Sequence, residues 1–267
     1  MTQNEEKKLA QWFEEYVDKF ADRNGKLTPM LKLKLVHSRR VAKDAAGIAC
    51  DLEFVQGDVR TARMLGLFHD IGRFDQFQRH QTFRDELSFN HGRHGAKIMA
   101  GCPPLLACAG KDIRRIIAGI CHHNRANLPA GYDKDTLNFI KIGRDADKLD
   151  IFHVLYHSWK NNLLRLSPDI TLRVKLKGKI NPLALNEIRR KKAISAAHLK
   201  SLADFFLLQL SWVYDINFVP TFRRMSHRKV IEHIAEVLPR TAAIKEQILA
   251  AKRYVKARLA GNRLSCR

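Results

Sequence analysis

The chain has 267 residues, 45% hydrophobic and 28% charged, with a formal net charge of +21. That length supports a full hydrophobic core, in one large domain or one domain with an appended subdomain, and excludes a fragment that needs staples to fold. No apolar run reaches the roughly 18 residues of a membrane span, and Met1 to Ala10 contains no apolar leader core, so a cytoplasmic protein is expected.

Apolar residues recur at helical spacing along most of the chain. Examples are Val41, Ala45, Ile48 and Leu52, then Ile113, Ile116, Ile117 and Ile120, then Phe205, Leu208 and Trp212. The pattern predicts an all-α fold. Breakers fall at Asn24-Gly25, Gln56-Gly57-Asp58, Cys102-Pro103-Pro104, Leu128-Pro129-Ala130-Gly131, Ser167-Pro168-Asp169, Asn181-Pro182, Pro220 and Pro239, which implies about nine or ten helices. One stretch departs from the helical period: Leu172, Val174 and Leu176 alternate with Arg173, Lys175 and Lys177 up to Gly178, as in a short strand or a basic loop. The break at Ser167-Pro168 is the expected boundary between a core, residues 1–167, and a basic helical layer, residues 168–267, packed on it.

The chemistry starts with His37, in register with Val41 and Ala45 and therefore on the buried face of its helix. His69-Asp70 closes the apolar run Leu65-Gly66-Leu67-Phe68. The two side chains lie about 100° apart on a continuous helix, so both reach one ion only if the helix ends there, as Gly72 permits. His91 and His94 follow in His91-Gly92-Arg93-His94, and then the doublet His122-His123. Asp147, in Asp145-Ala146-Asp147-Lys148-Leu149-Asp150, interrupts the stripe Phe139, Gly143, Ile151, Val154. A buried carboxylate is costly unless paired or metal-bound. The five cysteines (Cys50, Cys102, Cys108, Cys121 and Cys266) form no Cys-x-x-Cys pair, which argues against a disulfide framework and a thiolate zinc knuckle. Nitrogen and oxygen donors alone suit Mn, Fe, Co, Ni or Mg, in one or two ions, better than structural zinc.

The ordered set His37, His69-Asp70, His91, His122 and Asp147 resembles the HD-domain superfamily of metal-dependent phosphohydrolases. The likeness spans roughly residues 30 to 160. Phe68-His69-Asp70-Ile71-Gly72-Arg73-Phe74-Asp75-Gln76-Phe77, Asn90-His91, and Asp145-Ala146-Asp147-Lys148-Leu149-Asp150 resemble a bacterial subgroup of HD-domain proteins, as does Leu210-Ser211-Trp212-Val213-Tyr214-Asp215-Ile216-Asn217-Phe218. The resemblance implies an HD-domain helical bundle with additional C-terminal helices. It assigns His37, His69, Asp70 and Asp147 to the principal metal, with Asp70 bridging to a second. His91 and His122 match the histidines of that second site, with His94 and His123 as their possible substitutes.

Lys148 matches a position that contacts substrate phosphate in relatives, and Arg73 and Arg144 are further candidate phosphate-binding cations. Arg73 can equally cap its helix or pair with Asp75. Gln76 and Asp85 are candidate pocket residues or parts of an ordinary loop, and Asp150 is a candidate for orienting a ligand or capping a helix. Gly131-Tyr132-Asp133 departs from the Gly-Tyr-Pro pattern of cyclic-di-GMP phosphodiesterases. The implied activity is hydrolysis of a phosphate ester, such as that of a nucleotide or related small phosphorylated metabolite, by metal-activated water, with Asp70, Lys148 and Arg73 at the reaction centre.

Two rival readings keep their place. Residues 171–200 carry nine Lys or Arg against one Glu, and residues 245–267 seven against one, which fits either a solvated helix face or a nucleic-acid-binding protein built on a degenerate HD core. The His and carboxylate donors also suit a di-iron HD oxygenase. Phe205, Phe206, Leu207, Leu208, Leu210 and Trp212 make a helix apolar on more than one face, buried either in the core or in a homodimer contact.

Overall fold

The structure is a computed structural model describing residues 1–165, 168–171 and 173–261. It is all-α. Among the described residues there are thirteen α-helices: α1 (Gln3–Asp18), α2 (Pro29–Asp51), α3 (Gln56–Phe68), α4 (Gly72–His80), α5 (His91–Ala100), α6 (Pro103–Leu106), α7 (Gly110–His122), α8 (Lys134–Lys160), α9 (Pro182–Arg189), α10 (Leu202–Ser211), α11 (Val219–His227), α12 (Val230–Val237) and α13 (Ala242–Gly261). The excess over nine or ten comes from short segments such as the four-residue α6, which no periodicity can announce. The starts follow local chemistry. Thr2 and Glu5 form a capping box on α1, Thr28 caps α2 ahead of Pro29, Asn90 caps α5, and Ser201 with Asp204 boxes α10.

The chain divides into two compact units, Met1–Asp150 and Ile151 onward. The division falls inside α8, earlier than the proline break expected from sequence. A proline ends a helix, but packing decides which neighbours each turn of a long helix serves. Ser167 itself lies outside the described residues. In the first unit, Phe13 of α1 meets Phe68 of α3 edge-on at 5.5 Å and Phe74 of α4 at 6.2 Å, above a core of Val41, Ala45, Ile48, Leu65, Ile116 and Phe139. Helix α3 lies close on α2, since a Cβ at Gly66 would stand 2.8 Å from the Ala42 Cα. Arg115 of α7 is buried and bonds Asp58 of α3 and Asp135 just inside α8, which fixes α7 between them.

In the second unit α10 is the core. Phe205, Phe206, Leu207, Leu208 and Leu210 are all buried, so the apolar surface that left room for a homodimer contact is spent inside the chain. The alternating segment forms no strand among the described residues. Lys175 makes one isolated parallel bridge with Ser201, and Leu172 lies outside the described residues. No described helix is long and apolar enough to cross a membrane.

Candidate metal centre

Four helix ends and two helix faces converge in the first unit. His37 projects from α2, His69 and Asp70 sit in the turn between α3 and α4, His91 opens α5, His123 follows the last residue of α7, and Asp147 lies on α8. The break after Phe68 lets His69 and Asp70 face the same space. His37 Nε2 lies 3.1 Å from His69 Nε2, 3.2 Å from Asp147 Oδ1 and 3.5 Å from Asp70 Oδ2. His69 Nε2 lies 3.5 Å from the same Asp147 oxygen and 3.6 Å from Asp70 Oδ2. Asp70 turns its other oxygen to a second set: Oδ1 is 3.3 Å from His91 Nε2 and 3.7 Å from His123 Nε2, and those nitrogens are 3.0 Å apart.

These separations fit metal coordination. Donors bound at about 2.1 Å to a tetrahedral or octahedral ion stand about 3.0–3.4 Å apart. The protonation pattern agrees. His37 Nδ1 faces Asp150 Oδ2 at 2.6 Å, His69 Nδ1 faces the Gly66 carbonyl at 2.8 Å, His91 Nδ1 faces Asp85 Oδ2 at 2.8 Å, and His123 Nδ1 faces the Ile120 carbonyl at 2.8 Å. Each Nδ1 therefore donates its proton to an oxygen, which leaves Nε2 as the nitrogen turned to the interior and available to a metal. Nitrogens 3.0–3.1 Å apart are held either by a proton shared between them or by a cation standing among them. The residues fit one or two divalent ions.

Charge in the cluster is set by the same neighbours. Burial pushes His37 down, but Asp147 and Asp150 outweigh it and raise the imidazole to about 9. Burial and the Arg73 charge hold His91 at about 3 despite Asp85 and Asp70, so it is neutral and able to ligate. Burial would raise Asp70, yet Lys34, His69, His123 and Arg73 hold it well below the usual carboxylate range. Asp147 is low for the corresponding reason, with His37 and His69 opposing its burial. The Asp147 side chain keeps 16% exposure and Lys34 keeps 18%, while His69 has none, so the centre opens to solvent beside α2 and α8.

The structure chooses within the histidine pairs. His91 joins the cluster, and His94 instead contacts Asp75 Oδ2 at 2.6 Å. His123 joins it, while His122, expected as a ligand, turns to the Tyr132 hydroxyl at 3.2 Å. The reason is angular: α7 ends at His122, and the rotation between neighbouring residues carries only the second imidazole to Asp70. Two further expectations are corrected. Arg144 is buried and donates to the carbonyls of Arg125 and Ala126, so it braces a loop rather than facing a substrate. Gln76 is fully buried, accepts from Arg73, and gives its amide to Asp85, Ser88 and the Phe89 carbonyl, so it ties down the 83–89 loop.

Arg73 is largely committed to the same loop, through the Phe83 carbonyl and Asp85 at 2.9 Å, with its Nε 3.5 Å from Asp70 Oδ1. Lys148 follows Asp147 on α8 and is buried, and Asp145 is buried outside the converging donors.

The sequence reading missed Lys34. Its ammonium donates to Asp70 Oδ2 at 2.7 Å and lies 5.1 Å from the centre of the Phe83 ring. The available signal was its place one helical turn before His37, on the same face of α2. Asp85, expected as a pocket residue or part of an ordinary loop, contacts His91 Nδ1 and also accepts from Asn124.

No curated protein and no solved structure matches the chain. The family model described as the HD domain matches residues 35–152, the stretch that contains every converging donor. That segment, somewhat under half of the chain, is similar to the HD domain.

Proposed function

We propose that this protein is a metal-dependent phosphohydrolase that cleaves a small phosphate ester, such as that of a nucleotide, at a two-ion centre bridged by Asp70. The observation that carries the reading is the division of the Asp70 carboxylate, with Oδ2 toward His37 and His69 and Oδ1 toward His91 and His123. His37, His69, Asp70 and Asp147 would hold one ion, and Asp70, His91 and His123 the other. When bound, such ions supply Lewis-acid polarisation of a phosphoryl oxygen and lower the pKa of water from 15.7 to about 7.

The chain's residues do the rest. Asp150 and Asp85 keep the Nδ1 protons on His37 and His91, so that Nε2 is the nitrogen each imidazole would offer to an ion. Lys34, at the solvent-facing edge, supplies a fixed positive charge where a phosphate would enter. Arg73 holds Asp70 and the loop around Asp85 in register. The net charge of +21 gathers anions toward the molecule.

The test is phosphate release from a panel of nucleotides and sugar phosphates by metal-depleted protein reloaded with Mn²⁺, Co²⁺, Ni²⁺ or Mg²⁺. Turnover in wild type and its loss in Asp70→Ala, with helical circular dichroism retained, is the expected outcome. Full turnover in metal-loaded Asp70→Ala sinks the reading. Oxygen consumption by the iron-loaded protein without phosphate release would transfer the centre to oxygenase chemistry.

A further inference from the structure

Beyond Asp150, α8 continues into the second unit and carries His153 and His157, both exposed. A separation of four residues puts the two imidazoles on one helix face, one turn apart. Their rings already approach each other, with centroids 4.1 Å apart and planes inclined by 43°. Neither residue belongs to the buried centre. Around them, the Tyr156 ring meets His157 edge-on at 5.8 Å and stacks on His233 at 3.9 Å, and its hydroxyl donates to Glu236 at 2.7 Å and accepts from Lys160 at 3.4 Å.

Two imidazoles one turn apart on a helix make a chelate, because the turn spacing lets both side chains bend toward one ion. An imidazole has two nitrogens, so ligation through one leaves the other for a protein contact. Neutral imidazole suits Zn²⁺, Ni²⁺ and Cu²⁺, with Cu²⁺ the strongest of the divalent series, whereas Mg²⁺ prefers oxygen. We propose that His153 and His157 form a separate surface site for a late first-row divalent ion, Cu²⁺, Ni²⁺ or Zn²⁺, with solvent completing the coordination. The site is independent of the buried centre and of the reaction proposed there.

The experiment titrates metal-depleted protein with Cu²⁺ alone and reads ion content by elemental analysis and nitrogen coordination by electron paramagnetic resonance. Wild type, His153→Ala and His157→Ala are compared, each also in an Asp70→Asn background that weakens the buried centre. Both substitutions fall on an exposed helix face, and circular dichroism checks that the fold is kept. The expected result is the loss of one Cu²⁺ per chain in either alanine variant, in both backgrounds, together with the loss of a two-nitrogen signal. Equal Cu²⁺ content in the variants and their parents overturns the proposal.

Discussion

Asp150 Oδ2 lies 2.6 Å from His37 Nδ1, and Arg40 grips the same carboxylate with its Nε 2.5 Å from Oδ1. The pair fixes both the direction of the imidazole and the nitrogen that carries its proton. Asp150→Asn leaves a hydrogen-bonding side chain but removes the charge that anchors this proton. Metal affinity should fall about 10- to 100-fold, the usual consequence of losing such a partner. Titration of metal-depleted protein followed by calorimetry checks this, with activity recovering at saturating metal.

The neighbouring histidines give a sharper contrast. His123→Ala and His91→Ala should each lower metal content at the buried centre while the first ion stays bound, since His37, His69, Asp70 and Asp147 remain. His122→Ala should leave that content at the wild-type value, because its imidazole faces Tyr132. Elemental analysis of Mn²⁺-loaded protein after gel filtration distinguishes the three.

Lys34 donates to a charged partner and faces the opening of the centre. A hydrogen bond to a charged group contributes about 1.5–3 kcal/mol. Lys34→Met should therefore lower kcat/KM for a phosphorylated substrate about 10- to 100-fold, at tenfold per 1.4 kcal/mol. Metal content should stay near wild type, and Lys34→Arg should restore part of the loss. Steady-state kinetics beside metal analysis separates this from a ligand defect.

Gly72 tests how closely α4 must approach α5. A Cβ there would fall within contact distance of the His91 carbonyl oxygen and 2.9 Å from the Gly95 nitrogen, both backbone atoms that cannot rotate away. Gly72→Ala should cost about 1–3 kcal/mol of stability, the usual range for overpacking. It should also weaken binding at the His91–His123 side. Urea denaturation measured with and without Mn²⁺ checks both effects.

Helical periodicity and the donor chemistry were legible in the sequence. The stripe Val41, Ala45, Ile48 is buried as its spacing required, and His37, His69, Asp70, His91 and Asp147 converge as their order in the chain suggested. The absence of thiolate pairs already confined any metal to nitrogen and oxygen donors.

What the sequence by itself determined was therefore the helical class and a short list of candidate donors, because period and residue chemistry are local properties. Tertiary structure decided the rest. Whether His122 or His123 points inward depends on where α7 stops, and neighbouring residues on a helix differ by about 100°. Whether Arg144 and Gln76 face a substrate or a loop depends on carbonyls that other segments bring to them. Lys34 acquired its role only when packing set α2 against the turn that carries Asp70. That placement puts one positive charge beside the carboxylate shared by the two sets of imidazoles.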